Sequence, residues 1–307
     1  MNISRALKDN RLMKAVTGMS INELQELTKD FERKFEKEKQ SKYKEGLKNG
    51  KRKRKPGGGR TGQLKTTNEK LFFILLYFKC YPTFDLLGLM FDLNRSNANR
   101  NVQKLLPILE KTLGEVMVLP KRKIRTIKEL FEMFPEVHHL FIDATERSIP
   151  RPKDNDKRKK NYSGKKKRHT KKNTVITDEN REVRYLGPTI EGKKHDYGGF
   201  KDEWWGIPQP PAISCFWTDL GYLGIEKDFP DLNVMMPKKK PKGKELTDDE
   251  KGMNKLISGV RVVVEHAIGG VKRFRIVSDI FRNKIKGFDD KVMEISCGLW
   301  NYHLLCC

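Results

Sequence analysis

Apolar residues recur at helical spacing in the first third of the chain and at strand spacing in the middle. Ile21, Leu24, Leu27, Phe31 and Phe35 mark one face of a long charged helix over 20–47, and Ser20 with Glu23 makes a capping box at its start. A second helix is predicted from Thr66, where Thr66 and Glu69 repeat that pattern ahead of the apolar run 71–78, and Tyr81-Pro82 breaks it. Thr83 can cap a short helix with Phe84, Leu87 and Met90 inward. Asp92-Leu93-Asn94 reads as a turn, and Ser96 as the cap of a third helix. On that helix Val102, Leu105, Leu106 and Leu109 form an apolar stripe, while Asn97, Arg100, Asn101 and Lys104 occupy the opposite face.

From about Pro135 the period changes. The run 137–145 (VHHLFIDAT) is nearly continuous in apolar and β-branched residues, as in a strand buried on both faces. Stretches 173–177 and 182–186 alternate around Asp178-Glu179-Asn180, a hairpin pattern, and 213–219 (ISCFWTD) is another buried-type strand, ended by Gly221. Helices are expected over 256–274 and 290–305. The organisation predicted is a charged helical segment with a basic linker (1–60, ending in Gly57-Gly58-Gly59), an all-α helix-turn-helix domain (61–118), a connector (119–135) and an α/β domain (136–307).

Charge changes this picture from architecture to partner. Lys+Arg is 64 against 40 Asp+Glu, a net +24. Most of the excess sits in three tracts: KRKRKPGGGR at 51–60, the twelve Lys/Arg of 151–172, and KKKPKGK at 238–244. Localised tracts in an otherwise balanced chain suit loops that meet phosphate, although tract 51–60 alone reads equally well as a solvated linker. In that context the third helix reads as a recognition helix rather than as half of a plain helical hairpin. Arg95 and Arg100 suit guanine edges, Asn97 and Asn101 adenine edges, and Lys104 phosphate. No apolar run approaches the roughly 20 residues that span a bilayer, and no signal-peptide pattern opens the chain. Five cysteines without metal-type spacing argue against a disulfide scaffold, so a cytoplasmic, nucleoid-associated protein is expected.

Three acids stand out by position. Asp143 lies inside an apolar strand, where an ionised carboxylate is costly unless paired or bound to a cation. Asp219 ends a second such strand, at the rim where side chains of an α/β sheet collect. Glu265 lies on the late helix, and at 100° per residue Arg261, Glu265 and Lys272 fall within about 40° of one another. Three carboxylates converging at a sheet edge suit two divalent cations, which clamp the oxygens of an in-line phosphoryl displacement. Singly, each has a plainer role: a buried acid held by backbone amides, a turn cap, half of an i−4 pair with Arg261.

The residues of the second half resemble the DDE transposases of bacterial insertion sequences, in the DDE-superfamily endonuclease branch that includes Harbinger-like elements. The resemblance rests on FIDATERSIPRP at 141–152, YSGKKKRHTKK at 162–172, KKHDYGG at 193–199, TDLGYLG at 218–224 and the long block 237–276. It implies an RNase H-like mixed sheet flanked by helices, with Asp143, Asp219 and Glu265 as the triad holding Mg²⁺ or Mn²⁺, two ions in all. The Arg-x3-Glu-x6-Lys pattern is present as Arg261, Glu265 and Lys272, whereas Ser258 stands where a tyrosine is common and Thr218 where Ala is common. It further implies binding to terminal inverted repeats and target DNA, cleavage that releases a 3′-OH and strand transfer, performed by a homodimer or larger assembly. Arg261 and Lys272 would then position phosphates, and Lys165, Lys166, Lys167 and Arg168 would hold the backbone. His195 is expected to be a satisfied structural histidine, and Trp204, Trp205 and Trp217 core residues. The alternative function is a catalytically inactive regulator derived from a transposase.

Overall fold

A computed structural model describes residues 3–51, 53–54, 62–124, 129, 132–204, 215–230 and 232–307. The Gly57–Gly59 linker, Ile213 and Trp205 fall outside the described residues. The chain divides into two compact units, one built from 1–119 with 273–276 and 302–307, the other from 120–272 with 277–301.

The first unit is all helical. Helix α1 (Asn10–Thr17) precedes α2 (Ile21–Lys48), which starts in the Ser20–Glu23 capping box and buries Leu24, Leu27 and Phe31. Helix α3 (Thr67–Cys80) is capped by Thr66 and Glu69 and is buried continuously from Leu71 to Phe78, so it is the centre of this unit. It stops where Tyr81 turns left-handed ahead of Pro82. Helix α4 (Phe84–Phe91) and helix α5 (Arg95–Glu115) follow, with Asp92 left-handed between them. The turn is tight enough that a Cβ at Gly88 would lie 2.3 Å from the Leu93 carbonyl oxygen, so only glycine fits there. Asn94, not Ser96, caps α5: its side chain accepts from the Asn97 N–H, and Ser96 is inside the helix. An Asn one residue before the first turn competes with a Ser inside it, and the side chain that reaches N3 wins.

The second unit is a mixed sheet with helices packed on it. Strand β1 (His139–Ser148) pairs antiparallel with β3 (Arg168–Thr177), and β3 pairs antiparallel with β4 (Val183–Leu186). On its other edge β1 runs parallel to β6 (Cys215–Trp217), and β6 parallel to β7 (Asn233–Met235). The resulting order β4-β3-β1-β6-β7 has the strand directions of an RNase H-like sheet. Two short strands, β2 (Tyr162–Ser163) and β5 (Ile190–Glu191), add to β3, and helix α6 (Asn155–Asn161) leads into β2. Helix α7 (Asp196–Trp204) links β5 to β6, helix α8 (Asp248–Lys272) packs on β1 and β3, and helix α9 (Phe288–Leu305) closes the chain. Leu140, Ile142, Ile176 and Phe216 from the sheet bury against Phe200 and Tyr222.

Fully buried Arg147 fixes β1 to its surroundings. Its guanidinium donates to the Asp289 carbonyl at 2.6 Å, to Asn173 Oδ1 at 2.8 Å and to Thr189 Oγ1 at 2.9 Å, and burial lowers its pKa to about 10.

Candidate active site

Register brings the first two acids together. In the parallel β1–β6 pair Phe141 faces Trp217. Two residues further on stand Asp143, still in β1, and Asp219, just past the end of β6, so both acids lie at the same edge of the sheet, near enough for Asp219 to act electrostatically on Asp143. Asp143 is half-buried, and Ala144 N–H donates to its Oδ1 at 2.7 Å. Burial pushes its carboxyl up to about 6. The Ala144 hydrogen bond opposes that rise, Asp219 and Asp196 add to it, and Arg261 opposes it. Asp219 caps the short 3₁₀ turn Leu220–Tyr222, its Oδ1 accepting from Gly221 N–H at 2.9 Å. The cap role and a place at the sheet edge therefore coexist in one side chain.

A fourth acid joins them. A Cβ at Gly221 would stand 2.8 Å from Asp219 Oδ1 and 3.5 Å from Asp196 Oδ2, so both carboxylates converge on this glycine. Asp196 opens α7 and is held by buried Lys172, whose ammonium donates to Asp196 Oδ1 and to the Lys194 carbonyl, both at 2.8 Å, and lies 3.8 Å from Glu146. His195 is exposed and makes no side-chain hydrogen bond among the described residues, so it is not the satisfied structural histidine expected.

Each of the three aspartates thus spends one oxygen on a fixed partner and keeps the other without a hydrogen bond among the described residues. Beneath them Tyr222 is fully buried, its hydroxyl without a hydrogen-bond partner among the described residues and its pKa raised by burial and by Asp143, Asp196 and Asp219. Thr145 and Thr218 likewise bury hydroxyls without a hydrogen-bond partner among the described residues. Carboxylate oxygens without a hydrogen bond among the described residues, set near such hydroxyls, offer hard-oxygen donors of the kind a divalent cation takes, in an arrangement that does not bring three acids within 4.8 Å of one another.

Helix α8 carries the remaining predicted groups. Arg261 and Lys272 both act electrostatically on Asp143. Burial lowers the Lys272 pKa, Lys166 in the β2–β3 turn lowers it further, and Asp143 and Glu146 oppose this. Glu265 stands between Arg261 and Lys272 on the same stripe, is exposed, and forms no ion pair with Arg261 one turn away. The set Asp143, Asp219 and Glu265 is open: the one group of His, Cys, Asp or Glu ligand atoms all within 4.8 Å of one another among the described residues is Glu23, His303 and Cys307, in the helical unit. Lys165, Lys166 and Lys167 form the exposed β2–β3 turn, and Arg168 begins β3 rather than lying in a loop. Trp217 is half-buried, stacks on Phe141 at 6.1 Å and donates to His139 Nδ1 at 3.2 Å.

In the helical unit Arg95 and Arg100 are exposed. Asn97 and Asn101 are half-buried: Asn97 Oδ1 accepts from Arg100 at 2.7 Å, and Asn101 Nδ2 donates to the Asn97 carbonyl at 2.9 Å. Lys104 lies 5.3 Å from the Phe35 ring, and with Asn97 and Asn101 it lines a cavity of about 420 Å³. The two arginines are the most exposed part of this surface together with Lys104, although Arg95 pairs with Asp85 at 3.9 Å and Arg100 bonds Asn97.

Residues 142–301 match the family model "DDE superfamily endonuclease", and residues 62–115 match "Helix-turn-helix of DDE superfamily endonuclease". The chain is 32% identical over 255 residues to the "Probable transposase for insertion sequence element IS702" of Microchaete diplosiphon, covering 83% of this chain and 86% of that protein. No solved structure matches.

Proposed function

The chain belongs to the DDE superfamily endonucleases, and we propose that it is a transposase that cleaves phosphodiesters at transposon ends and transfers the resulting 3′-OH to target DNA. One observation carries the reading: Asp143 in β1 and Asp219 just past β6 share one edge of the sheet, each with an oxygen that has no hydrogen bond among the described residues, with Asp196 alongside. Asp143, Asp219 and Glu265 are assigned as the catalytic acids, and Asp196 as a further oxygen donor. Together they would hold Mg²⁺ or Mn²⁺. When bound, the cation supplies Lewis-acid stabilisation of charge developing on the phosphoryl oxygens.

The protein's own groups do the rest. Ala144 and Gly221 N–H groups hold Asp143 and Asp219 in one orientation, so little reorganisation accompanies the reaction. Lys172 fixes Asp196 while leaving its second oxygen free. Arg261 and Lys272 offer positive charge to the phosphates on either side of the scissile bond, and the Lys165–Lys167 turn continues that positive surface. In the helical unit Arg95 and Arg100, with Asn97, Asn101 and Lys104, form the surface assigned to the element end, and two such ends imply at least a dimer on DNA.

The test is a labelled duplex carrying the element's end, incubated with the full chain and Mg²⁺. The expected product is a nick that leaves a 3′-OH, lost on chelation. Sequence-specific binding without any cleavage would instead favour the inactive regulator.

A further inference from the structure

Away from the acids, the sheet unit contains a cationic cavity. We propose that the pocket lined by Arg151, Arg158, Lys159, Tyr162, His169 and Lys193 binds an unpaired nucleotide of a DNA strand, with its base on the Tyr162 ring and its phosphates on the four cations. The inference rests on the DNA-processing function proposed above and adds to it a place where DNA must be single-stranded.

The pocket measures about 520 Å³, within the range of ligand-sized sites. Its walls are tied by backbone hydrogen bonds and pairing. Tyr162 and His169 are partners across β2 and β3, Ile149 N–H donates to the His169 carbonyl at 2.9 Å, and Lys193 N–H donates to the Lys160 carbonyl at 3.0 Å. No acid lines it. Arg151, Lys159 and Lys193 have no ion-pair partner among the described residues, and Arg158 bonds only neutral Asn155. Like charges gathered without compensation repel, and a polyanion relieves that repulsion.

The aromatic ring decides which polyanion. Tyr162 is 43% exposed inside the cationic pocket, and His169 meets it edge-on at 5.6 Å, bracing one side of the ring. A phosphate needs no ring, but a base does, because stacking on an aromatic face is the sequence-tolerant contact of single-strand binders. A base inside a duplex is already stacked on both faces and must leave the stack to lie on the Tyr162 ring. From Val175, the partner of Asp143, to His169 is six residues of β3, roughly 20 Å, so the pocket flanks the acids at about six base-pair steps.

The experiment is fluorescence anisotropy of the full chain in EDTA, with a labelled 20-mer of oligodeoxythymidine, a duplex of equal length, and dTMP as competitor. Tyr162→Ala should weaken strand binding about tenfold and duplex binding less than twofold. Tyr162→Phe should restore it, and Tyr162→Leu, which keeps bulk without a ring, should not. Lys159→Ala and Lys193→Ala should weaken both and flatten the salt dependence. Unchanged strand binding in Tyr162→Ala, equal loss for strand and duplex, no strand binding by wild type, or dTMP competing as well as the strand would each overturn the proposal. Mg²⁺-dependent nicking on the same preparations separates the two ideas: if Asp143→Asn abolishes it while Tyr162→Ala leaves strand binding intact, the pocket falls and the endonuclease assignment stands.

Discussion

Two half-buried carboxyls in the sheet unit are both pushed far above their ordinary range, yet their surroundings differ in the respect that matters for chemistry. Burial raises Glu203 to about 7, and both its oxygens are filled, by Thr174 Oγ1–H at 3.1 Å and Tyr185 Oη–H at 3.1 Å. Burial, with Asp219 and Asp196 adding to it, raises Asp143 to about 6, and one of its oxygens is free. A raised pKa therefore reports burial in both places. An unfilled oxygen beside other unfilled oxygens reports a site in only one. Glu203 has neutral hydroxyl donors and no second acid sharing its hydrogen bonds, which is how a structural carboxyl is accommodated.

The largest effect that could break this contrast is on cleavage. Asp143→Asn or Asp219→Asn should lower Mg²⁺-dependent nicking by about a thousandfold or more in a time course, because the charge that stabilises the transition state is lost. DNA affinity in a gel shift should stay equal or rise, since a negative charge leaves a basic surface. Glu265→Gln should fall in the same range, which would place the exposed helix acid with the sheet acids despite its different setting. Lys272→Ala should cost about tenfold in both nicking and binding, as expected of a phosphate contact. Glu203→Gln should change nicking less than twofold.

Its effect should be on stability, and the sign follows from the raised pKa. Folded Glu203 holds its proton up to about pH 7, whereas the unfolded group releases it near 4.5, so ionisation destabilises the fold progressively as pH rises through that window. Glu203→Gln removes this cost. Its melting temperature should exceed that of wild type at pH 8 by a few degrees, on the order of 1–2 kcal/mol, and match it at pH 4.5. A gain independent of pH would mean the carboxyl is not what the burial penalises.

The helices of the first unit, the caps at Ser20, Thr66 and Thr83, and the placing of two acids at the ends of apolar runs were legible in the sequence, because local rules and tertiary packing agree there, whereas α5 and α8 begin at residues other than those expected. Asp143 follows one apolar run and Asp219 another, and the parallel pairing of β1 with β6 then brings both to one edge of the sheet. Asp196 was not legible, since it sits in the Gly-rich polar stretch KKHDYGG with no apolar frame around it. A trace of it existed: Lys172 falls in a strand buried almost throughout, and a buried ammonium requires an acid from elsewhere in the chain. Strand β3 begins at Arg168, earlier than its basic residues suggest, because pairing with β1 through Ser148 supplies hydrogen bonds that composition does not reveal. Helix α8 begins at Asp248 rather than 256, and its start was readable in Thr247 and Glu250, which bond each other's backbone N–H groups as a capping box.

The most direct test of the central claim is Mn²⁺ binding, followed by electron paramagnetic resonance on wild type, Asp143→Asn, Asp219→Asn, Asp196→Asn and Glu203→Gln without DNA. If unfilled oxygens define the site, the three aspartate variants lose Mn²⁺ affinity by tenfold or more, and Glu203→Gln titrates as wild type does. Undiminished Mn²⁺ binding by Asp143→Asn, or an equal loss in Glu203→Gln, would contradict it.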